Sequence, residues 1–169
     1  MHRIVDEEYY QIVKDILDTK EFMVLENIKH HNTNRLQHSL NVSYNAYKTA
    51  KFLKLDFDQV ARAGLLHDFY LDRTVNYARV KDKLKLFTFQ HPNDAVANAS
   101  KYFHLTNKEK DMILTHMFPL DFKIPKYMES WVLNMTDSAV SIREFGLKFK
   151  YQISYITNVS ILFVLNIIK

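Results

Sequence analysis

Ala63-Gly64-Leu65-Leu66-His67-Asp68 is the stretch on which the reading of the fold turns. An apolar helical run ends there on an imidazole beside a carboxylate, a pair that is costly to bury without a partner ion. Gly64 stands one turn before His67. A missing side chain at that place lets a second helix approach closely, a packing reason for giving up ~1 kcal/mol of helix propensity. Outward from the doublet, four more side chains able to hold a metal stand at long intervals: His38 before it, and His91, His116 and Asp137 after it. Borderline and hard divalent metals take imidazole nitrogen and carboxylate oxygen.

The segments that carry these residues read as helices. Two Gly and three Pro among 169 residues leave little punctuation for hairpins or sandwich turns, and 47% hydrophobic residues are enough for a globular core. The expectation is an all-α chain, a helical bundle forming one domain over residues 1–169. Val5 to Leu25 has apolar residues at helical spacing (Ile12, Val13, Ile16, Leu17) and predicts an opening helix. Asn32-Thr33-Asn34 supplies N-cap candidates for a helix through Leu36, Leu40, Val42, Ala46, Ala50 and Leu53, and Asp56 can cap the next, Phe57 to His67. Pro92 fits the first turn of a helix over Asn93 to Phe103, which leaves His91 just outside it. Thr106-Asn107-Lys108-Glu109 has the form of a capping box, opening a helix that should stop near His116 ahead of Pro119. Pro125 opens a segment through Trp131 and Val140 that carries Asp137.

Two segments are less regular. Between Asp68 and His91, weak periodicity and the charges of Arg73, Arg79, Lys81, Lys83 and Lys85 read either as a functional, partly helical lid or as a solvated connector. Ile153 to Ile168 is strongly apolar, with Ile153, Ile156, Phe163, Val164 and Ile167 on one helical face. It is shorter than the ~20 residues a bilayer span needs, and reads as a packed terminal helix in preference to membrane attachment or an oligomer contact.

Several function classes are excluded or disfavoured. With no cysteine there is no disulfide, thiolate metal site or cysteine nucleophile. A net charge of +4 suits an anionic small molecule, but Lys and Arg alternate with Asp and Glu, so no nucleic-acid footprint is expected. The first residues are acidic and lack an apolar signal core, which makes a cytoplasmic protein the default expectation. The oligomeric state is left open.

Taken singly, each candidate ligand also has an ordinary structural reading. His38 can be a core histidine, His91 a loop residue, His116 a helix-end residue favoured by the dipole, and Asp137 a local hydrogen-bonder. Taken together, they sit on successive helices from which side chains can converge on one core site. The ordered pattern His38, His67-Asp68, Asp137 resembles the H…HD…D signature of the HD superfamily of metal-dependent phosphohydrolases. The run Arg35-Leu36-Gln37-His38-Ser39-Leu40-Asn41-Val42 is similar to that family's first motif, and Ala63 to Asp68 to its second. The likeness spans roughly Arg35 to Arg143, and is nearest to small stand-alone bacterial members and to HD-type dinucleoside-tetraphosphate hydrolases.

The resemblance implies an enzyme that cleaves a phosphoester or phosphoanhydride, in a nucleotide or dinucleoside polyphosphate, through a metal-activated water. His38, His67, Asp68 and Asp137 would hold one divalent metal, with Asp68 bridging to a second completed by His91 and His116. A histidine-rich set favours Fe, Mn, Zn, Co or Ni over Mg. Arg35 and Arg143 match the family's arginines and are the first choices for phosphate contact, with a surface or ion-pair role as the alternative. Lys81, Lys83, Lys85 and Asp72 are weaker candidates. Phe69-Tyr70-Leu71 departs from the HD-Ile-Gly-Lys variant, and the missing Gly-Tyr-Pro motif argues against cyclic dinucleotides. His30-His31 and His104 match no family position and read as surface residues. The alternative from another class is a metal- and nucleotide-binding sensor module with little turnover.

Overall fold

The computed structural model describes residues 6–30, 33–70 and 80–146, with backbone alone at 29–30, 33 and 80–89. Within them the chain is helical: α1 (Glu7–Leu17), α2 (Lys20–Met23), α3 (Arg35–Phe52), α4 (Phe57–Leu66), α5 (Val80–Tyr102), α6 (Asn107–Thr115) and α7 (128–146). A short 3-10 turn, Val24–Asn27, leads into a two-residue antiparallel pairing of Lys29–His30 with Thr33–Asn34. This pairing only feeds the chain into α3, where the Arg35 amide donates to the Ile28 carbonyl at 2.9 Å. The all-α expectation holds.

The polar residues read as caps do cap. Asn34 accepts from the Gln37 amide at 2.8 Å, and Asp56 from the Gln59 amide at 3.4 Å. Thr106 and Glu109 form a reciprocal capping box. Each satisfies donors that the first helical turn leaves orphaned.

Helices α3 and α4 form the closest pair, and α1 lies against α4. A Cβ built on Gly64 would meet the Ser43 Cα at 2.7 Å, so glycine is what permits the approach. The Ser43 hydroxyl ties three helices together there, donating to the Ala61 carbonyl (2.6 Å) and accepting from the Tyr9 hydroxyl (2.7 Å). Around it Val13, Ile16, Ala46, Tyr47, Val60 and Leu65 are fully buried.

Two boundaries differ from the sequence reading. The opening helix does not run through to Leu25: it breaks at Asp18–Thr19, where Thr19 is extended and starts α2. The turn drives Phe22 and Leu25 into the core, and Phe22 meets the Phe69 ring at a centroid distance of 5.4 Å. Burial of two large side chains outweighs continuation of a helical period. Pro92 does not start a helix but lies inside α5, so His91 is helical as well. Proline withholds a backbone donor and crowds the preceding turn. The helix continues regardless, because Ala95 and Ala99 are buried on the core beyond it.

The weakly periodic stretch is helical from Val80 onward, while 71–79, including Asp72, lie outside the described residues. So does the apolar segment Ile153 to Ile168. Among the described residues no helix is long and apolar enough to cross a membrane.

Gly64→Ala is expected to destabilise the protein by ~1–3 kcal/mol in urea unfolding, since the methyl group meets backbone rather than a flexible side chain. Stability equal to or above the parent's, as helix propensity alone predicts, would contradict this account of the α3–α4 contact.

Candidate metal centre

Five helices deliver the six expected residues. His38 stands in α3, and Asp68 follows the end of α4. His67 and His116 are the C-cap residues of α4 and α6. His91 lies in α5, and Asp137 in α7. All six are buried, from His67 at 0% to Asp137 at 9% exposure.

The two C-cap histidines are oriented by the same device. A helix leaves its last carbonyls without amide partners. His67 Nδ1 bonds the Gly64 carbonyl at 2.8 Å, and His116 Nδ1 bonds the Ile113 carbonyl at 2.7 Å. A carbonyl only accepts, so each Nδ1 carries a proton and Nε2 is the nitrogen turned to the cluster. Both Nε2 atoms turn to the same carboxylates. His67 Nε2 faces Asp68 Oδ2 (3.9 Å) and Asp137 Oδ1 (3.7 Å), and His116 Nε2 faces Asp68 Oδ1 (3.8 Å). His91 Nε2 lies 3.7 Å from Asp68 Oδ1 and 2.9 Å from His116 Nε2.

His38 is placed differently, between two carboxylates. Its Nε2 meets Asp137 Oδ1 at 3.1 Å and its Nδ1 meets Glu144 Oε2 at 3.0 Å. Asn41, one turn along α3, donates to the other Glu144 oxygen at 3.3 Å. Burial alone would lower the His38 pKa, but the bonds to Asp137 and Glu144 and the charge of Asp68 outweigh it and raise it to about 10. The metal-free chain therefore holds an imidazolium there at neutral pH.

The neighbours take opposite shifts. Burial pushes His116 down to about 4, and the neighbouring His67 and His91 rings act in the same direction. Burial works to raise Asp68, but the four surrounding imidazoles hold it well below the usual carboxylate range. Asp137 is also lowered, against burial, chiefly by its bond from His38. Two carboxylates are thus kept ionised in a buried space beside the neutral ring of His116.

That donor set fits a divalent metal. His67 Nε2 is buried with no hydrogen-bond partner among the described residues, and it faces oxygens of Asp68 and Asp137. Such an arrangement is repulsive until a cation lies between the groups. Three overlapping sets each bring their donor atoms within 4.8 Å of one another: His38, His67 and Asp68; His67, His116 and Asp137; Asp68, His91 and His116.

The two arginines part company. Arg35 is buried one turn before His38, where it donates to the Tyr70 carbonyl at 2.6 Å and lies 3.9 Å over the Tyr70 ring. That ring in turn packs on His91, 5.3 Å between centroids. Arg143 is exposed on α7. His104 is exposed as expected. Glu144 escaped the sequence reading, yet its position carried a signal: it lies seven residues after Asp137, two helical turns along the same face.

Because His116 is neutral in the folded chain with its pKa lowered from 6.5 to about 4, its contribution to stability is present above 6.5 and lost as pH falls through 4. His38, raised, is already fully protonated below 6.5 and adds no opposing slope there. The metal-free protein should lose thermal stability between about pH 6.5 and 4, and a flat midpoint across that window would contradict the buried, neutral His116.

Comparison with known proteins gives a match, which spans the helices that carry these residues. The family model described as the HD domain matches residues 35–147, from the first residue of α3 to just beyond α7. No match was found among curated proteins or among solved structures. With two thirds of its length matched, and the ordered histidines and aspartates gathered in one buried cluster, the chain belongs to the HD-domain family.

Proposed function

We propose that the protein is a metal-dependent phosphohydrolase acting on a phosphoester or phosphoanhydride of a nucleotide or dinucleoside polyphosphate. The observation that carries this reading is the buried Nε2 of His67, which faces Asp68 and Asp137 without a hydrogen-bond partner among the described residues. HD domains bind divalent metals, and this donor set suits Fe, Mn, Zn, Co or Ni better than Mg.

In this reading His38, His67, Asp68 and Asp137 hold one ion, and Asp68, His91 and His116 hold a second. The three overlapping donor sets, with Asp68 in two of them, support that division. Bound there, divalent metal supplies Lewis acidity at phosphoryl oxygens and acidifies water towards neutral pH. The protein's own contribution is orientation. The Gly64 and Ile113 carbonyls hold His67 and His116 in the tautomer that offers Nε2, and Glu144 does the same for His38 from the opposite side. Asp68 stays ionised and ready to bridge.

Arg35 is the proposed phosphate contact nearest the site: Tyr70 fixes its guanidinium on the α3 face that carries His38. Arg143, exposed on α7, is the second, reachable by a ligand from solvent. The match over 35–147, together with Arg62 of α4 paired to Asp15 of α1 at 2.6 Å, supports reading the chain as one domain.

His67→Ala and Asp68→Ala should each abolish bound metal and phosphate release from nucleotide substrates while leaving the far-UV helical signal largely intact. Phosphate release that persists in a metal-stripped variant would sink the proposal. His91→Ala should lower the metal content from two ions per chain to one; an unchanged content of one in both proteins reduces the site to four ligands. Glu144→Gln should weaken metal binding by roughly 10–100-fold in calorimetry, because the amide no longer offers His38 Nδ1 a charged acceptor. Unaltered affinity would assign Glu144 a packing role only.

A further inference from the structure

Helix α7 buries a polar edge that grips two other helices. Ser130, Asn134, Asp137 and Glu144 follow one another at steps of four, three and seven residues along one face, and all four are buried. Their partners divide by position. Towards the end of the helix, Asp137 and Glu144 meet His38 of α3. Nearer its start, Ser130 donates to Asp111 of α6 at 2.7 Å. Asn134 donates to the carbonyls of His116 and Phe118 at 2.6 and 2.7 Å. Its amide nitrogen thus turns not to the cluster but to the main chain of a residue within it.

Those two bonds stand where the main chain needs them. Past Thr115 the helix supplies no amide for the carbonyls that follow. The Leu120 amide, which a continuing helix would give to His116, goes to the Met117 carbonyl at 2.8 Å. One amide nitrogen carries two protons and a carbonyl only accepts, so Asn134 Nδ2 satisfies both carbonyls at once. Helix ends fray when nothing holds them. Held in this way His116, the C-cap of α6, keeps a helical conformation at φ −62° and ψ −22°. From it the ring reaches back one turn, Nδ1 to the Ile113 carbonyl at 2.7 Å, and leaves Nε2 facing His91 and Asp68.

We infer that Asn134 is a positioning residue for His116: it anchors the end of α6 to α7, and so sets where the His116 ring stands against His91, Asp68 and Asp137. Ser130 makes an independent bond between the same two helices, so α6 stays packed on α7 when Asn134 is replaced. What Asn134 alone supplies is the placement of the residue just beyond the helix. Three residues on, α7 presents Asp137, which shares a donor set with His116. One helix therefore fixes the histidine by its main chain and offers the carboxylate beside it. The consequence for metal binding rests on the proposed function, whereas the placement of the ring does not.

Nuclear magnetic resonance of the isotope-labelled, metal-free full-length protein tests the placement directly. The His116 Nδ1–H held by Ile113 should give a slowly exchanging imidazole signal at neutral pH, identified by its loss in His116→Gln. Asn134→Ala should broaden or abolish that signal. Asn134→Ser, the smaller change should the alanine variant fold poorly, should do likewise, since one hydroxyl proton cannot serve two carbonyls. Ser130→Ala should leave the signal intact. Calorimetric titration with zinc alone should show an affinity about 10-fold weaker in Asn134→Ser, and unchanged in Ser130→Ala. An imidazole signal in Asn134→Ser as sharp as the parent's overturns the inference. So does an equal loss of zinc affinity in Ser130→Ala, which makes Asn134 one more packing contact between α6 and α7. A parent protein that takes up no zinc overturns the metal reading instead, and the imidazole signal then decides the role of Asn134 by itself.

Discussion

The structure depends on one close approach, that of α3 to α4 at Gly64. The residue acts twice. Its missing Cβ lets the Ser43 backbone come to a distance that no other residue tolerates, and its carbonyl holds the His67 ring. The approach sets how far α3 stands from the end of α4, and so how far His38 stands from His67, 5.5 Å between ring centroids. A looser contact would keep every ligand-type residue in the chain and still lose the convergence. Positional tolerance at such sites is a fraction of an ångström.

Around that joint, the fold concentrates groups that a core normally excludes. Buried carboxylates and imidazoles are costly unless paired. Here the cost is met in part by protein: His38 lies between Asp137 and Glu144, and helix-end carbonyls receive two ring protons. It is met only in part, because His67 Nε2 and the facing oxygens of Asp68 and Asp137 remain without a hydrogen bond between them. The unpaired remainder has the chemistry of a cation site. An apolar core of the same shape would be more stable, so the cluster reads as a functional expense.

Much of this was legible in the chain. Asn34, Asp56 and Thr106 were readable as caps because capping is local: a short polar side chain meets amides two or three residues on. The six ligand-type residues were legible through their order and their resemblance to a known motif, and all six meet in one place. Reading failed where a long-range contact overrode a local rule. Pro92 would end an isolated helix, yet α5 runs through it to bury Ala95 and Ala99. Thr19 interrupts a good helical period so that Phe22 can reach Phe69. Glu144 went unread because a carboxylate on a charged helix looks solvated until a partner, here His38 from a residue 106 positions away, is seen to face it.

By itself, then, the amino-acid sequence determined the helical class, most of the caps, the need for glycine at 64 and the identity of the converging histidines and aspartates. These follow from short-range chemistry: periodicity, turn-sized hydrogen bonds and the elements a side chain can ligate. Only the tertiary structure decided that helix-end carbonyls hold Nδ1 of His67 and His116, that Arg35 is held on Tyr70 while Arg143 faces solvent, and that Glu144 stands behind His38. Those are properties of distances between helices remote in sequence, and no local pattern in the chain encodes a distance across the core.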